Sequence, residues 1–155
     1  SLVLTLWRPS LFVLCQGNQL AFATGRASLE FMKSEKLWEH AAKMGTVLRE
    51  RLDELQTQVD TISDIRGRGL MVGIEATNPS QTDKFGLAAR DGVLASVVQR
   101  RCIEKGLICE RGGRGGATMR FLPPLIIQED DIHQAADIFS EAWKEAQDEV
   151  VRARA

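Results

Sequence analysis

Several things are scarce in this sequence, and each scarcity narrows the choices. There is no excess of charge of either sign: 20 Lys plus Arg stand against 21 Asp plus Glu, a net charge of -1. No strong global field therefore draws the chain onto nucleic acid or an anionic membrane. The three cysteines, Cys15, Cys102 and Cys109, are odd in number and lack C-x-x-C spacing, which fits neither a disulfide framework nor a zinc site. A reducing cytoplasmic compartment is the expectation. The apolar stretch 1–15 is too short to span a bilayer and is broken at Arg8-Pro9. Without a basic start or a small-residue cleavage site it reads as neither a membrane helix nor a signal peptide. It begins at Ser1 without Met, and residues 1–15 are expected to be a divergent or truncated lead segment ahead of one domain over 16–155.

What is present, 155 residues with 44% hydrophobic and 26% charged, is the balance of one soluble globular domain with its own core. From Asn18 to about Phe31 the residues Leu20, Thr24, Ala27 and Phe31 recur at helical spacing, with Asn18 placed as the cap. A longer helix follows on Leu37, Ala41, Met44, Leu48, Leu52, Leu55 and Val59. The period then shortens. Ile62 to Ile65, Leu70 to Ala76, Leu107 to Glu110 and Met119 to Leu122 read as strands bounded by Gly, Pro or Asp. Between the second and third lie a polar loop, Asn78 to Asp83, and a helix near Leu87 to Lys105 that Gly106 stops. Pro123-Pro124 ends the last strand, and a final helix from about Glu129 carries Ile132, Ala136, Phe139, Trp143 and Ala146 on one face. The order predicts an α+β fold, a small mixed sheet covered by helices.

Four constellations are candidates for chemistry. Arg66-Gly67-Arg68-Gly69 is glycine-rich and basic, but it precedes a strand rather than a helix N-terminus, so a turn into the sheet is the expectation. Arg111 to Gly116 holds two RGG triplets; RNA-binding RGG segments are long and disordered, whereas this one joins two predicted strands and reads as a hairpin-like connection. Arg120, alone in an apolar strand, must find a salt bridge, reach solvent or await an anion, and a guanidinium at a strand end can grip a carboxylate through two parallel bonds. Cys15-Gln16-Gly17-Asn18 feeds a helix, where free amides could meet an anion or simply be capped. His40 and His133 read as solvated surface residues, and Asp130-Asp131 as acidic first-turn residues of the last helix. No nucleophile, base and orienter set emerges.

Taken in series, Gly17-Asn18-Gln19-Leu20-Ala21, Asp64 to Glu75, Gly106-Leu107-Ile108 and Arg120-Phe121-Leu122-Pro123-Pro124-Leu125 resemble the C-terminal part of class III aminotransferases, fold type I enzymes. Gly17 to Ala21, Glu110 to Arg114 and Arg120 to Ile127 are similar, within that class, to diaminobutyrate:2-oxoglutarate aminotransferases. The resemblance covers about Gln16 to Trp143 and implies a small C-terminal domain of a dimeric enzyme that uses pyridoxal 5'-phosphate. The implied reaction moves an amino group from L-2,4-diaminobutyrate or a related ω-amino donor to 2-oxoglutarate. It also implies that Arg120 binds a substrate carboxylate. The family's cofactor lysine lies upstream of the Gly-Asn motif, whereas Lys33, Lys36, Lys43, Lys84, Lys105 and Lys144 all lie downstream, so this chain is expected to be inactive alone. The family's Gly-Thr-aromatic run, whose Thr meets the cofactor phosphate, is replaced by Val13, Leu14 and Cys15, and leucine cannot donate that bond. The alternative is a small α+β interaction domain without activity that pairs with itself or a partner.

Overall fold

A computed structural model describes residues 17–154 of the chain; the lead segment 1–15, Cys15 included, and the first half of the Cys15-Gln16-Gly17-Asn18 turn lie outside the described residues. The described residues fall into two compact units, one up to Leu37 and one from Trp38 onward. The first holds helix α1 (Gln19–Ser34), started as expected by Asn18, whose Oδ1 accepts from the amides of Leu20 at 2.9 Å and Ala21 at 3.4 Å. None of its residues is buried, and Leu20, Phe22, Leu29 and Phe31 stand exposed.

The second unit contains α2 (Leu37–Gln58), the hairpin β1 (Ile62–Arg68) and β2 (Met71–Thr82), β3 (Ala88–Arg90), α3 (Gly92–Glu104), β4 (Glu110–Gly112), a 3-10 turn (Arg114–Gly116), β5 (Thr118–Phe121) and α4 (Glu129–Arg154). The strands lie in the order β1-β2-β5-β4, with β3 against the far end of β2. The α+β architecture is the expected one. Its sheet, however, is antiparallel in every described pairing rather than mixed, because short connections return β1 to β2, β2 to β3 and β4 to β5.

Alternation along the strands sorts the two faces. Ile62 and Ile65 of β1, Val72, Ile74 and Ala76 of β2, and Met119 and Phe121 of β5 are buried. They meet Met44, Leu48, Leu52 and Leu55 of α2, Leu94, Ala95, Val98 and Cys102 of α3, and Ile132, Phe139, Ala142, Trp143 and Ala146 of α4 in one core. Phe139 sits edge-on to Phe121 with ring centroids 5.0 Å apart and 5.5 Å from Trp143. The polar tip of the Trp143 ring is satisfied: Nε1 donates to Thr61 Oγ1 at 2.9 Å, and that hydroxyl donates to Gln147 Oε1 at 2.7 Å.

Three boundaries differ from the sequence reading. The polar run Asn78 to Asp83 is mostly strand: Asn78 pairs with Ala89 and Thr82 with Ala88 across an irregularity that accommodates Pro79. Asp83 closes this hairpin, its Oδ1 accepting from the amides of Phe85 at 2.8 Å and Leu87 at 3.1 Å. Leu87 to Arg90 therefore precede the helix, which starts after Asp91, the residue whose carboxylate accepts from Val93 and Leu94. The third strand is Glu110–Gly112 rather than Leu107 to Glu110, since the ladder to β5 begins only at Glu110. Arg66 to Gly69 lead into a two-residue turn between β1 and β2, as expected, with Gly69 at φ 55°. Gly45 of α2 abuts that turn so closely that a Cβ there would lie 2.4 Å from the Gly69 carbonyl carbon.

Candidate functional site

The face of the sheet away from the core is polar. With Met119 and Phe121 turned inward, alternation turns Arg120 outward, directly between Gly73 of β2 and Glu110 of β4. Arg120 Nη2 and Glu110 Oε1 form an ion pair 2.7 Å apart, and the two side chains are 43% and 56% exposed, so both can be reached from solvent. The adjacent Gly112 leaves room for the guanidinium: a Cβ there would lie 2.8 Å from Arg120 Nη2. Arg120 Nε is shielded from water and donates to nothing, a cost that a second acceptor would remove.

Next to this pair the face is tied up within itself. Glu75 of β2, nearly buried, takes Arg66 Nη1 on Oε2 at 2.8 Å and the Arg90 Nε on Oε1. Arg66 also donates to Asp64 at 2.6 Å, and Asp64 first, then Glu75, raise the guanidinium's pKa above its ordinary value. Arg66 and Arg90 thus both spend their charge on neighbouring carboxylates. Arg120 and Glu110 instead border a cleft of about 520 Å³ whose apolar walls include Leu107, Ile108, Leu122 and Pro123.

Residues 15–143 match the aminotransferase class III family. The chain belongs to that family. It is 36% identical over 143 residues to a diaminobutyrate--2-oxoglutarate aminotransferase of Rhizobium meliloti, covering 91% of this chain and 30% of that protein. With the enzyme of the same name from Haemophilus influenzae the identity is 39% over 132 residues, 84% of this chain and 29% of the relative. A solved transaminase with L-ala superposes with a TM-score of 0.74 at 26% identity, covering 89% of this chain and 31% of the other. The chain spans about 30% of the length of the curated relatives it matches. Class III aminotransferases depend on pyridoxal phosphate and share the α+β framework of fold type I enzymes found here.

Other residues singled out in this class III chain take structural places. Arg111 and Gly112 belong to β4, and Gly113 to Gly116 make the expected connection to β5: Gly113, Gly115 and Gly116 have positive φ, and Arg111 Nη1 is tied back to the Gly116 carbonyl at 3.3 Å. His40 is not a solvated surface residue: it is partly buried, with Nε2 at 2.8 Å from the Ile127 carbonyl, because the segment after Pro124 folds back over α2. His133 remains at the surface, 3.9 Å from Glu129. Asp130 and Asp131 lie in the first turn of α4 as expected. Cys102 and Cys109 are free, buried thiols; Cys102, as the S–H donor towards Cys109 and through burial, has its pKa pushed well up, while accepting that bond lowers the pKa of Cys109. Among the described residues no cluster could hold a metal ion, and no helix is long and apolar enough to cross a membrane.

The sequence marks Glu110 and Gly112 only as members of the Glu110 to Arg114 motif, with no role beside Arg120, next to which they stand. Their spacing of ten and eight residues from Arg120 carries no helical or strand period; only the ladder Glu110↔Arg120 and Gly112↔Thr118 brings them to it.

Proposed function

We propose that residues 16–155 form the small C-terminal domain of a pyridoxal phosphate-dependent transaminase that moves an amino group from L-2,4-diaminobutyrate, or a related ω-amino donor, to 2-oxoglutarate, in an enzyme that acts as a dimer. The observation that carries this reading is Arg120, its side chain reachable from solvent beside a cleft and paired with an exposed, exchangeable carboxylate. A planar guanidinium in that setting suits a substrate carboxylate received through two parallel hydrogen bonds. Likeness to the two diaminobutyrate enzymes supports the choice of donor.

The cofactor, when bound in the enzyme, supplies an electron sink for the carbon that loses or gains the amine. No described strand contains a lysine, and the cofactor's lysine is proposed to come from the rest of the enzyme. What this chain contributes is orientation: Arg120 anchors a carboxylate, Gly112 clears its space, and the Asp64-Arg66-Glu75-Arg90 cluster braces β1, β2 and β3 behind it.

The test is Arg120→Lys in the complete enzyme. A point charge replaces a two-pronged donor, so KM for 2-oxoglutarate is expected to rise about tenfold or more, with kcat less affected. Steady-state kinetics indistinguishable from the parent would sink the assignment.

A further inference from the structure

We propose that Cys102 and Cys109 form a peroxide-sensitive thiol pair, in which Cys109 meets the oxidant from the cleft and Cys102 closes a reversible disulfide with it. The pair is independent of the carboxylate anchor at Arg120.

The backbone folds the two residues together. Cys102 lies in the last turn of α3, and the chain doubles back directly after that helix: Gly106 takes a φ of 88°, and the Leu107 amide donates to the Cys102 carbonyl at 2.8 Å. Gln99, one turn earlier and on the face of α3 that carries Cys102, donates through Nε2 to the Cys109 carbonyl at 3.1 Å. The segment that ends in Cys109 is thus pinned twice to the helix that carries Cys102. Both side chains belong to one core cluster, and the Cys102 S–H is directed at the Cys109 sulfur. A bond between the sulfurs links segments that are already held side by side.

The surroundings of the two thiols divide the work between them. Cys102 is 0% exposed, whereas Cys109 is 7% exposed and forms part of the wall of the cleft, beside Leu107 and Phe121. A small neutral oxidant such as hydrogen peroxide reaches Cys109 through that opening. Accepting the Cys102 S–H holds the Cys109 pKa below its ordinary value against the opposing effect of burial, while donating it, together with burial, pushes Cys102 up. Because the thiolate is the nucleophile, one hydrogen bond readies Cys109 and quiets Cys102.

The chemistry runs in two stages. The Cys109 thiolate attacks one oxygen of hydrogen peroxide, the O–O bond breaks, and Cys109 becomes a sulfenic acid while the departing hydroxide takes up the proton that the thiol gave up and leaves as water. The Cys102 sulfur then attacks the Cys109 sulfur; the S–S bond forms, the S–O bond breaks, and the departing hydroxide carries off the Cys102 proton as a second water. Two thiols are oxidised to one disulfide and one peroxide is reduced to water. A dithiol reductant reverses the change by exchange.

The test treats the folded, unsubstituted chain with hydrogen peroxide, alkylates it with iodoacetamide after unfolding, and cuts it with trypsin in the absence of reductant. Trypsin cleaves after Arg101, Lys105 and Arg111, so the disulfide is expected to hold peptide 102–105 to peptide 106–111 in one species that dithiothreitol splits, with the loss of both thiols to alkylation. In Cys102→Ser, Cys109 is expected to stop at the sulfenic acid and take up dimedone. In Cys109→Ser, peroxide is expected to consume Cys102 at least about tenfold more slowly than it consumes Cys109 in Cys102→Ser. The first readout uses the unsubstituted chain and holds whether or not either variant folds. The proposal is overturned if both peptides emerge separate and alkylated, if they join only in urea, if Cys109 passes on to the sulfinic acid without joining Cys102, or if either cysteine pairs with Cys15 instead.

Discussion

Arg120 keeps its place because the residues around it are small or charged. Gly73 and Glu110 flank it on the neighbouring strands, and Gly112 sits where any Cβ would intrude on the guanidinium. Gly112→Ala is therefore expected to displace Arg120, which can swing away because it is half-exposed, at a stability cost under about 1 kcal/mol. The larger effect is expected on binding: an increase of about tenfold in KM for the carboxylate substrate, from a shift of the anchor rather than its loss. Comparing urea midpoints with steady-state kinetics separates the two, and unchanged KM would mean that Arg120 does not bind in the position seen here. Of these residues only Arg120 carried an expected role in the sequence, because a charge in an apolar strand is conspicuous at any register. Glu110 and Gly112 were visible only within the Glu110 to Arg114 motif, and nothing local set them beside Arg120.

At the scale of elements, α3 depends on its N-cap, Asp91. Asp91 is buried, its Oδ1 accepts from Val93 and Leu94, and Arg154 from the far end of α4 donates to both of its oxygens, at 2.8 and 3.0 Å. Burial by itself would raise the Asp91 pKa; the Arg154 guanidinium and the two amides outweigh it and bring the pKa below the ordinary 3.8. A carboxylate with a depressed folded-state pKa contributes stability that is present above the unfolded value and lost as pH falls through the folded one. The urea midpoint is expected to fall as pH drops below about 4, and Asp91→Asn, which keeps the cap but not the charge, is expected to lack that component. Parallel pH profiles for the two proteins would show that the Arg154 contact contributes nothing to folding. The helical elements were legible to within a few residues because their apolar period runs for several turns, as in Leu37–Gln58. The β3 hairpin was not: Pro, Asn, Ser and Asp in 78–83 carry the composition of a loop, and only the pairings Asn78↔Ala89 and Thr82↔Ala88 make it a strand.

For the molecule as a whole, the contact between α2 and the β1–β2 turn gives opposite signs to local and tertiary rules. Gly45 lies inside a helix, where alanine is locally better by about 1 kcal/mol. A Cβ at that position would meet backbone, the Gly69 carbonyl carbon at 2.4 Å, and backbone has little room to yield. Gly45→Ala is accordingly expected to destabilise the protein by about 1–3 kcal/mol, read as a lower urea midpoint; a stabilised variant would mean that α2 and the turn are not in this contact. The sequence by itself determined the helices, the apolar runs of β1, β2 and β5, the family and the conspicuous arginine Arg120, because each rests on a period or a motif held within one segment. The tertiary structure decided which strands are neighbours and in what register, and hence that Glu110 and Gly112 stand beside Arg120, that Glu75 holds Arg66 and Arg90, and that His40 is bound to the Ile127 carbonyl. Those contacts join residues far apart in the chain, and their partners are chosen by packing a common core rather than by any local preference.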